Sequence, residues 1–178
     1  MNKTVLLSFI VAAVSGCAGG ETRSISAPLP GCATANDTLI VPGCRIGPIA
    51  VGMTEADLLR AIGSPERSSP LGSHQGVSVT IYEYEGRGLR AWVRGDRVNE
   101  VWTSDARYAT EKGVKVGSSE LELRVALGQP SWSRPFSYAV RGNNSVGYCY
   151  PSRLYVFVMA EGPRAGKVDH FRLNSCKP

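Results

Sequence analysis

VGMTEADLLRAIGSP, residues 51–65, decides how this chain is read, because it is written twice. At residues 116–130 stands VGSSELELRVALGQP, and without a gap the two share Val, Gly, Glu, Ala, Gly and Pro at the same places. Leu58 aligns with Leu123, Ile62 with Leu127, Thr54 with Ser119 and, in the lead-in, Ile49 with Val114. A fixed offset of 65 residues marks a duplicated supersecondary unit.

Each copy is the same physical device. Thr54 and Ser119 stand where a helix N-cap belongs, accepting a bond from an otherwise unpaired backbone N–H. Glu122, three residues after Ser119, completes a capping box, and Asp57 takes that place in the first copy as a weaker variant. Leu58 and Ile62, like Leu123 and Leu127, are four apart and share one helix face. Gly63 and Gly128 supply the left-handed residue that ends a helix, and Pro65 and Pro130 forbid its continuation. Each motif therefore predicts a short helix of about three turns with a defined start and stop.

Beyond the first helix, residues 66–75 are rich in Ser, Pro and Gly and read as a loop. Three strands are expected at 77–84, 88–94 and 97–103, with hairpin turns at Glu85-Gly86-Arg87 and Gly95-Asp96. Val77, Val79, Ile81, Leu89, Ala91 and Val93 alternate with Tyr82, Tyr84, Arg90, Trp92 and Arg94. The first set should face the helices and the second the opposite side. Residues 105–112 are expected to form a short helix into the second motif. The second copy repeats the order. Residues 147–150 pair with 154–160, 167–173 close the lobe, and 131–144 leave room for one more strand. There Leu154, Val156 and Val158 alternate with Tyr155, Phe157 and Met159.

A Gly-Met-Thr helix opening (Val51, Gly52, Met53, Thr54) with a Gly-x-Pro end (Gly63, Pro65), followed by a three-stranded meander, resembles two related folds. One is the SmpA/OmlA (BamE) small lipoprotein of the outer-membrane β-barrel assembly machinery. The other is the β-lactamase inhibitory protein, built from tandem helix-pair-plus-sheet units. The resemblance covers most of residues 46–173, and the second copy carries Gly117-Ser118-Ser119 in place of Gly-Met-Thr. It implies an α+β fold of two tandem repeats, 46–108 and 109–178. Each would be a short helix pair packed on a three- to four-stranded antiparallel β-meander.

The N-terminus sets the expected address. A short basic start with Lys3 is followed by an apolar run over residues 5–14, too short to span a bilayer as a helix. Val14-Ser15-Gly16-Cys17 then resembles the lipobox of bacterial lipoproteins. That resemblance implies a signal peptide over 1–16 and a lipidated Cys17 at the mature N-terminus. With Ala18 next, it also implies delivery to the outer membrane, facing the periplasm. Several acyl chains, at about 0.8 kcal/mol per buried CH₂, hold a protein durably on a membrane. Residues 17–31 read as the acylated cysteine and a flexible tether. Leaving Cys17 aside, four cysteines remain, and outside the cytoplasm an even set implies disulfides. Three pairings are possible. The sequence-local pairs Cys32–Cys44, stapling a loop over 32–45, and Cys149–Cys176 are favoured.

Composition narrows the function classes. The 178 residues are 43% hydrophobic and 20% charged with a net charge of +5, which suits one globular domain with two lobes. No basic run marks a nucleic-acid footprint. No Gly-rich phosphate loop or metal-ligand spacing appears, so no cofactor, metal or small-molecule ligand is expected. Only His74 and His170 could act as imidazole bases. Cys149, His170 and Asp169 can be drawn as nucleophile, base and orienter. But Cys149 is the natural partner of Cys176, and adjacent Asp169 and His170 should point to opposite faces of one strand. No catalytic residue is assigned, and the chain is not read as an enzyme.

The sharper candidate is a surface. Tyr82, Tyr84, Arg90, Trp92 and Arg94 in the first lobe, with Tyr155, Phe157 and Met159 in the second, are residue types enriched in protein-binding patches. A solvated face would carry Lys, Glu, Thr and Ser instead. The expected function is a non-enzymatic outer-membrane lipoprotein acting as a periplasmic interaction module. Its partner would be another envelope protein, in outer-membrane protein assembly or envelope integrity. The alternative is a proteinaceous inhibitor of a hydrolase, such as a β-lactamase or lysozyme.

Overall fold

The computed structural model describes residue 32, residues 37–138 and residues 143–176. Cys17, the signal segment and the tether lie outside the described residues. Both motifs form the expected helices, α1 (Glu55–Ile62) and α2 (Glu120–Leu127). Thr54 Oγ1 accepts from Asp57 N at 3.1 Å. Ser119 completes the full box, its Oγ accepting from Glu122 N at 3.2 Å while Glu122 Oε2 accepts from Ser119 N at 2.6 Å. Gly63 and Gly128 end the helices at φ of 84° and 79°, a region that side chains rarely enter. Their N–H groups return to Leu59 O and Arg124 O at 2.9 Å.

Eight longer strands follow the helices, four per half. After α1 come β4 (Arg67–His74), β5 (Val77–Tyr84), β6 (Leu89–Arg94) and β7 (Arg97–Thr103). After α2 come β9 (Trp132–Tyr138), β10 (Asn143–Cys149), β11 (Leu154–Met159) and β12 (Val168–Leu173). They form one antiparallel sheet in the order β4-β5-β6-β7-β12-β11-β10-β9. The last strands of the two meanders join at a seam, where Val101 faces Leu173, Trp102 faces Arg172 and Thr103 faces Phe171. Before α1, three short strands, β1 (Leu39–Val41), β2 (Arg45–Ile46) and β3 (Ile49–Ala50), pair with β8 (Ala109–Thr110) as a second small sheet.

The duplication extends to the backbone. Glu55 N donates to Asp96 O at 2.7 Å, and its counterpart Glu120 N to Gly166 O at 2.9 Å. Val98 N donates to Met53 O, and Val168 N to Ser118 O, so each helix entrance is pinned to the last strand of its own meander. Leu58 and Leu123, both fully buried, enter one shared core. It includes Leu89, Ala91 and Val101 from one half, Leu154, Val156 and Phe171 from the other, and Ile40, Ile46 and Ile49 from the small sheet. Each leucine contributes about 2 kcal/mol by burial. Both helices and the small sheet thus occupy the same face of the large sheet.

Several expectations are corrected here. The protein is mostly β, with one eight-residue helix per half in place of a helix pair. The two meanders are one continuous sheet around one core, not separate helix-pair repeats. Residues 105–112 contain turns and β8 in place of a helix, because Ala109 and Thr110 pair in parallel with Leu39 and Ile40. Residues 66–75 are not a loop but strand β4. Pro70 is accommodated there because β4 is an edge strand with a register shift between Pro70 and Gly72. Pro135, at the same offset in the second half, sits in the opposite edge strand β9.

Candidate functional site

Strand register settles which side chains share a face. Tyr82 pairs with Ala91 and Tyr84 with Leu89, and Ala91 and Leu89 are core residues. Tyr82 and Tyr84 therefore point toward the helices, against the expected assignment, while Val79 and Ile81 share the outer side with Arg94 and Trp92. The alternation misled because a tyrosine buries its ring and keeps a polar tip. The tips find helix partners: the Tyr82 hydroxyl donates to Glu55, and Tyr84 to Gly63 O at 3.4 Å. Bonding to Glu55 lifts the Tyr82 phenol to about 12, and burial lifts Tyr84 to about 12. The second half repeats the pair as Tyr148 and Tyr150, with Tyr148 donating to Glu120 Oε1 at 2.7 Å. That repeated Tyr-x-Tyr, Tyr82-Glu83-Tyr84 against Tyr148-Cys149-Tyr150, was the available signal.

The outer face carries a row of aromatic rings across the seam. Trp92 and Trp102 have centroids 4.4 Å apart. Trp102 stacks with His170 at 5.4 Å, His170 with Phe157 at 4.1 Å, and Phe157 meets Tyr155 at 4.3 Å. Trp132 lies 5.3 Å from Tyr155, and Phe136 5.2 Å from Phe157. Guanidinium groups lie over the rings, Arg172 at 3.4 Å from the Trp102 centroid and Arg134 at 4.9 Å from Trp132. Of the expected residues, Arg90, Trp92, Arg94, Tyr155, Phe157 and Met159 are on this side. Phe157 and Tyr155, 0% and 2% exposed, form its buried floor. Trp102, Trp132, Phe136, Arg134 and Arg172 belong to the face and were not singled out from sequence. Gly147 makes room for the floor, since a Cβ there would stand 2.5 Å from the Tyr155 hydroxyl.

Polar groups frame the rings. Arg90 Nε lies 3.4 Å from Glu83, and Arg67 bridges Glu83 and Glu85 at 3.8 and 3.0 Å. Arg94 Nη2 donates to Gln75 Oε1 at 3.2 Å. The expected opposition of Asp169 and His170 is corrected. A register shift opposite Phe157 and Val158 leaves Asp169 outside the pairing, and its Oδ2 comes 3.0 Å from His170 Nδ1. Arg172 Nε donates to His170 Nε2 at 3.2 Å. A guanidinium can only donate, so Nε2 accepts and the ring proton sits on Nδ1, directed at Asp169. The His170 bond, helped by the Arg164 charge 2.9 Å away, holds the Asp169 carboxyl below its usual value, against the effect of burial.

Both favoured disulfides are present, Cys32–Cys44 and Cys149–Cys176, with Cα separations of 5.3 and 5.8 Å. Cys149 is thus committed to sulfur–sulfur bonding and offers no thiol to His170. Among the described residues no group of three or more His, Cys, Asp or Glu is placed to hold a metal ion, and no helix is long and apolar enough to cross a membrane. A cavity of about 440 Å³ opens on the outer face. Glu83, Glu85 and Arg90 line it from β5, β6 and the turn between them, and Arg164, Asp169, His170 and Arg172 from β12 and the segment before it. Trp102, Met159 and Ser145 also line it.

No protein-family model matches the chain, and no curated protein matches its sequence. Among solved structures it is similar to yfeY, an uncharacterized protein of Escherichia coli, with a TM-score of 0.47 and 14% identity over 79% of this chain and 96% of that one. A cysteine-rich secretory protein of Staphylococcus aureus scores 0.46 at 13% identity over 80% of this chain, which spans 51% of that protein. A candidate β-lactamase inhibitor protein of Streptococcus mutans scores 0.30 at 13% identity, covering 67% of this chain and 80% of that one. With all three scores below 0.5, none assigns a function.

Proposed function

We propose that this chain is a non-enzymatic interaction module that docks another protein of the bacterial cell envelope on the outer face of its eight-stranded sheet. One observation carries the reading. The face opposite the helices presents Trp92, Trp102, Trp132 and Phe136, all half-buried, under Arg134 and Arg172, where a solvated sheet would present short polar side chains. Two disulfides suit an oxidising compartment. The lipobox-like Val14-Ser15-Gly16-Cys17 motif suits attachment to the outer membrane through Cys17.

A photo-crosslinking side chain at position 92, with mass-spectrometric identification of the adduct, tests the docking face. The expected result is one envelope protein captured from position 92 and lost when Arg134→Ala and Trp132→Ala are added. The same crosslinker at Leu121, exposed on α2 and turned away from the sheet face, should not capture it. Equal capture from both positions defeats the reading. If the partner is a hydrolase and the purified chain inhibits it with one-to-one stoichiometry, the module acts as an inhibitor. Palmitate labelling of the wild type that disappears in Cys17→Ala tests the anchor.

A further inference from the structure

The cavity on the outer face adds to the shared Trp102 and Arg172 a set of charged and polar groups that the docking reading does not use. At about 440 Å³ it falls within the range of small-molecule pockets, roughly 300–1,000 Å³. Its lining guanidinia, Arg90, Arg164 and Arg172, match its carboxylates, Glu83, Glu85 and Asp169, in number. The balance is tipped from outside the lining. Arg67 on β4 reaches both glutamates, at 3.8 and 3.0 Å, and adds a fourth guanidinium to three carboxylates. On the β12 side, Arg164, Asp169, His170 and Arg172 form one hydrogen-bonded chain. That wall alone holds two guanidinia against one carboxylate.

A second observation is independent of charge. Ser145, 3% exposed, lines the cavity, and its hydroxyl has no hydrogen-bond partner among the described residues. Of the two buried hydroxyls without a partner among the described residues, Ser145 and Tyr150, only Ser145 borders this cavity, and since most buried hydroxyls are hydrogen-bonded it marks a place for a ligand atom. Trp102 and Met159 supply apolar surface next to it.

We propose that this cavity binds a small monoanionic ligand, a carboxylate on an aromatic or aliphatic body. Its charge meets the Arg164–Arg172 wall, and its body lies against Trp102 and Met159. The cavity shares Trp102 and Arg172 with the docking face, but the proposal survives failure of the docking reading, since it needs no protein partner.

The test titrates the purified chain with naphthaleneacetate and with neutral naphthaleneethanol, followed by amide and indole N–H NMR spectra. Saturable shifts of the Trp102 indole N–H and the Ser145 amide are expected with the anion, with about tenfold weaker binding of the alcohol. Arg164→Gln should weaken the anion by about tenfold with only a small change in thermal midpoint, because its ion pair with Asp169 is made by a side chain that is 58% exposed. Absence of a saturable shift at these two groups overturns the proposal. So does equal affinity for the alcohol, an unchanged affinity in Arg164→Gln, or shifts centred on Trp92 and Trp132.

Discussion

The Tyr148 hydroxyl donates to Glu120 Oε1 at 2.7 Å, fastening strand β10 to the first turn of α2. Tyr82 does the same to Glu55 across the first half. Both acidic groups lie at the helix N-terminus, where the macrodipole already favours negative charge. Glu120 also takes Arg124 Nε at 2.9 Å, and its carboxyl is held below the usual value first by the Tyr148 bond. Tyr148→Phe should therefore cost about 1–2 kcal/mol at neutral pH, as a lost hydrogen bond to a charged acceptor. Urea unfolding of Tyr148→Phe and Tyr82→Phe measures it. A change within error for both would show that the staples hold nothing.

Gly147 faces both Phe157 and Arg134 in the sheet, and the Tyr155 ring lies across it. Gly147→Ala pushes a methyl against that ring and should destabilise by about 1–3 kcal/mol. In the background of Tyr155→Ala the same change should cost much less. A double-mutant cycle reads the coupling. Additive costs would mean that the penalty comes from backbone conformation instead of the ring.

Asp169 supplies a pH dependence of known sign. Its folded value is lowered, so the stability it contributes is complete above its ordinary value of 3.8 and is lost as pH falls through the lowered one. Asp169→Asn removes that contribution. Between about pH 5 and about pH 2 the wild type should therefore lose more stability than the variant. Parallel acid profiles would place the relevant carboxylates elsewhere.

Removing the Cys149–Cys176 bond, by the double change to serine, should cost about 3 kcal/mol, since it closes a loop with a sequence separation of 27. The bond backs Tyr155 and Phe157 in their small cluster. Its loss should therefore also raise the exposure of the Trp132 side of the aromatic row, read by acrylamide quenching of tryptophan fluorescence. An unchanged midpoint in urea, with or without reductant, would contradict this.

The helices and their caps were legible because Thr54, Ser119, Gly63 and Gly128 act through contacts within a few residues. The disulfides were legible for a similar reason, lying close in the chain. The face assignment of Tyr82 and Tyr84 was not, because β5 alternates apolar residues on one side and amphipathic rings on the other. Which set is buried depends on Glu55, 27 residues earlier in sequence. Strand β4 was hidden by Pro70, which is compatible with a strand only at an edge, and edge position is a property of the whole sheet. The β7–β12 seam pairs Trp102 with Arg172 across 70 residues, with no local pattern to announce it. Half of the aromatic row follows from that seam, which is why Trp102, Arg172 and His170 were not read as one site. The shift that leaves Asp169 unpaired was equally invisible to simple alternation.

Pro70 and Pro135 cap the two free margins of the sheet, while the seam consumes the only other margins the meanders possessed. Each proline removes one backbone donor from its edge strand, so both margins are poorer templates for an added strand than an uninterrupted edge would be.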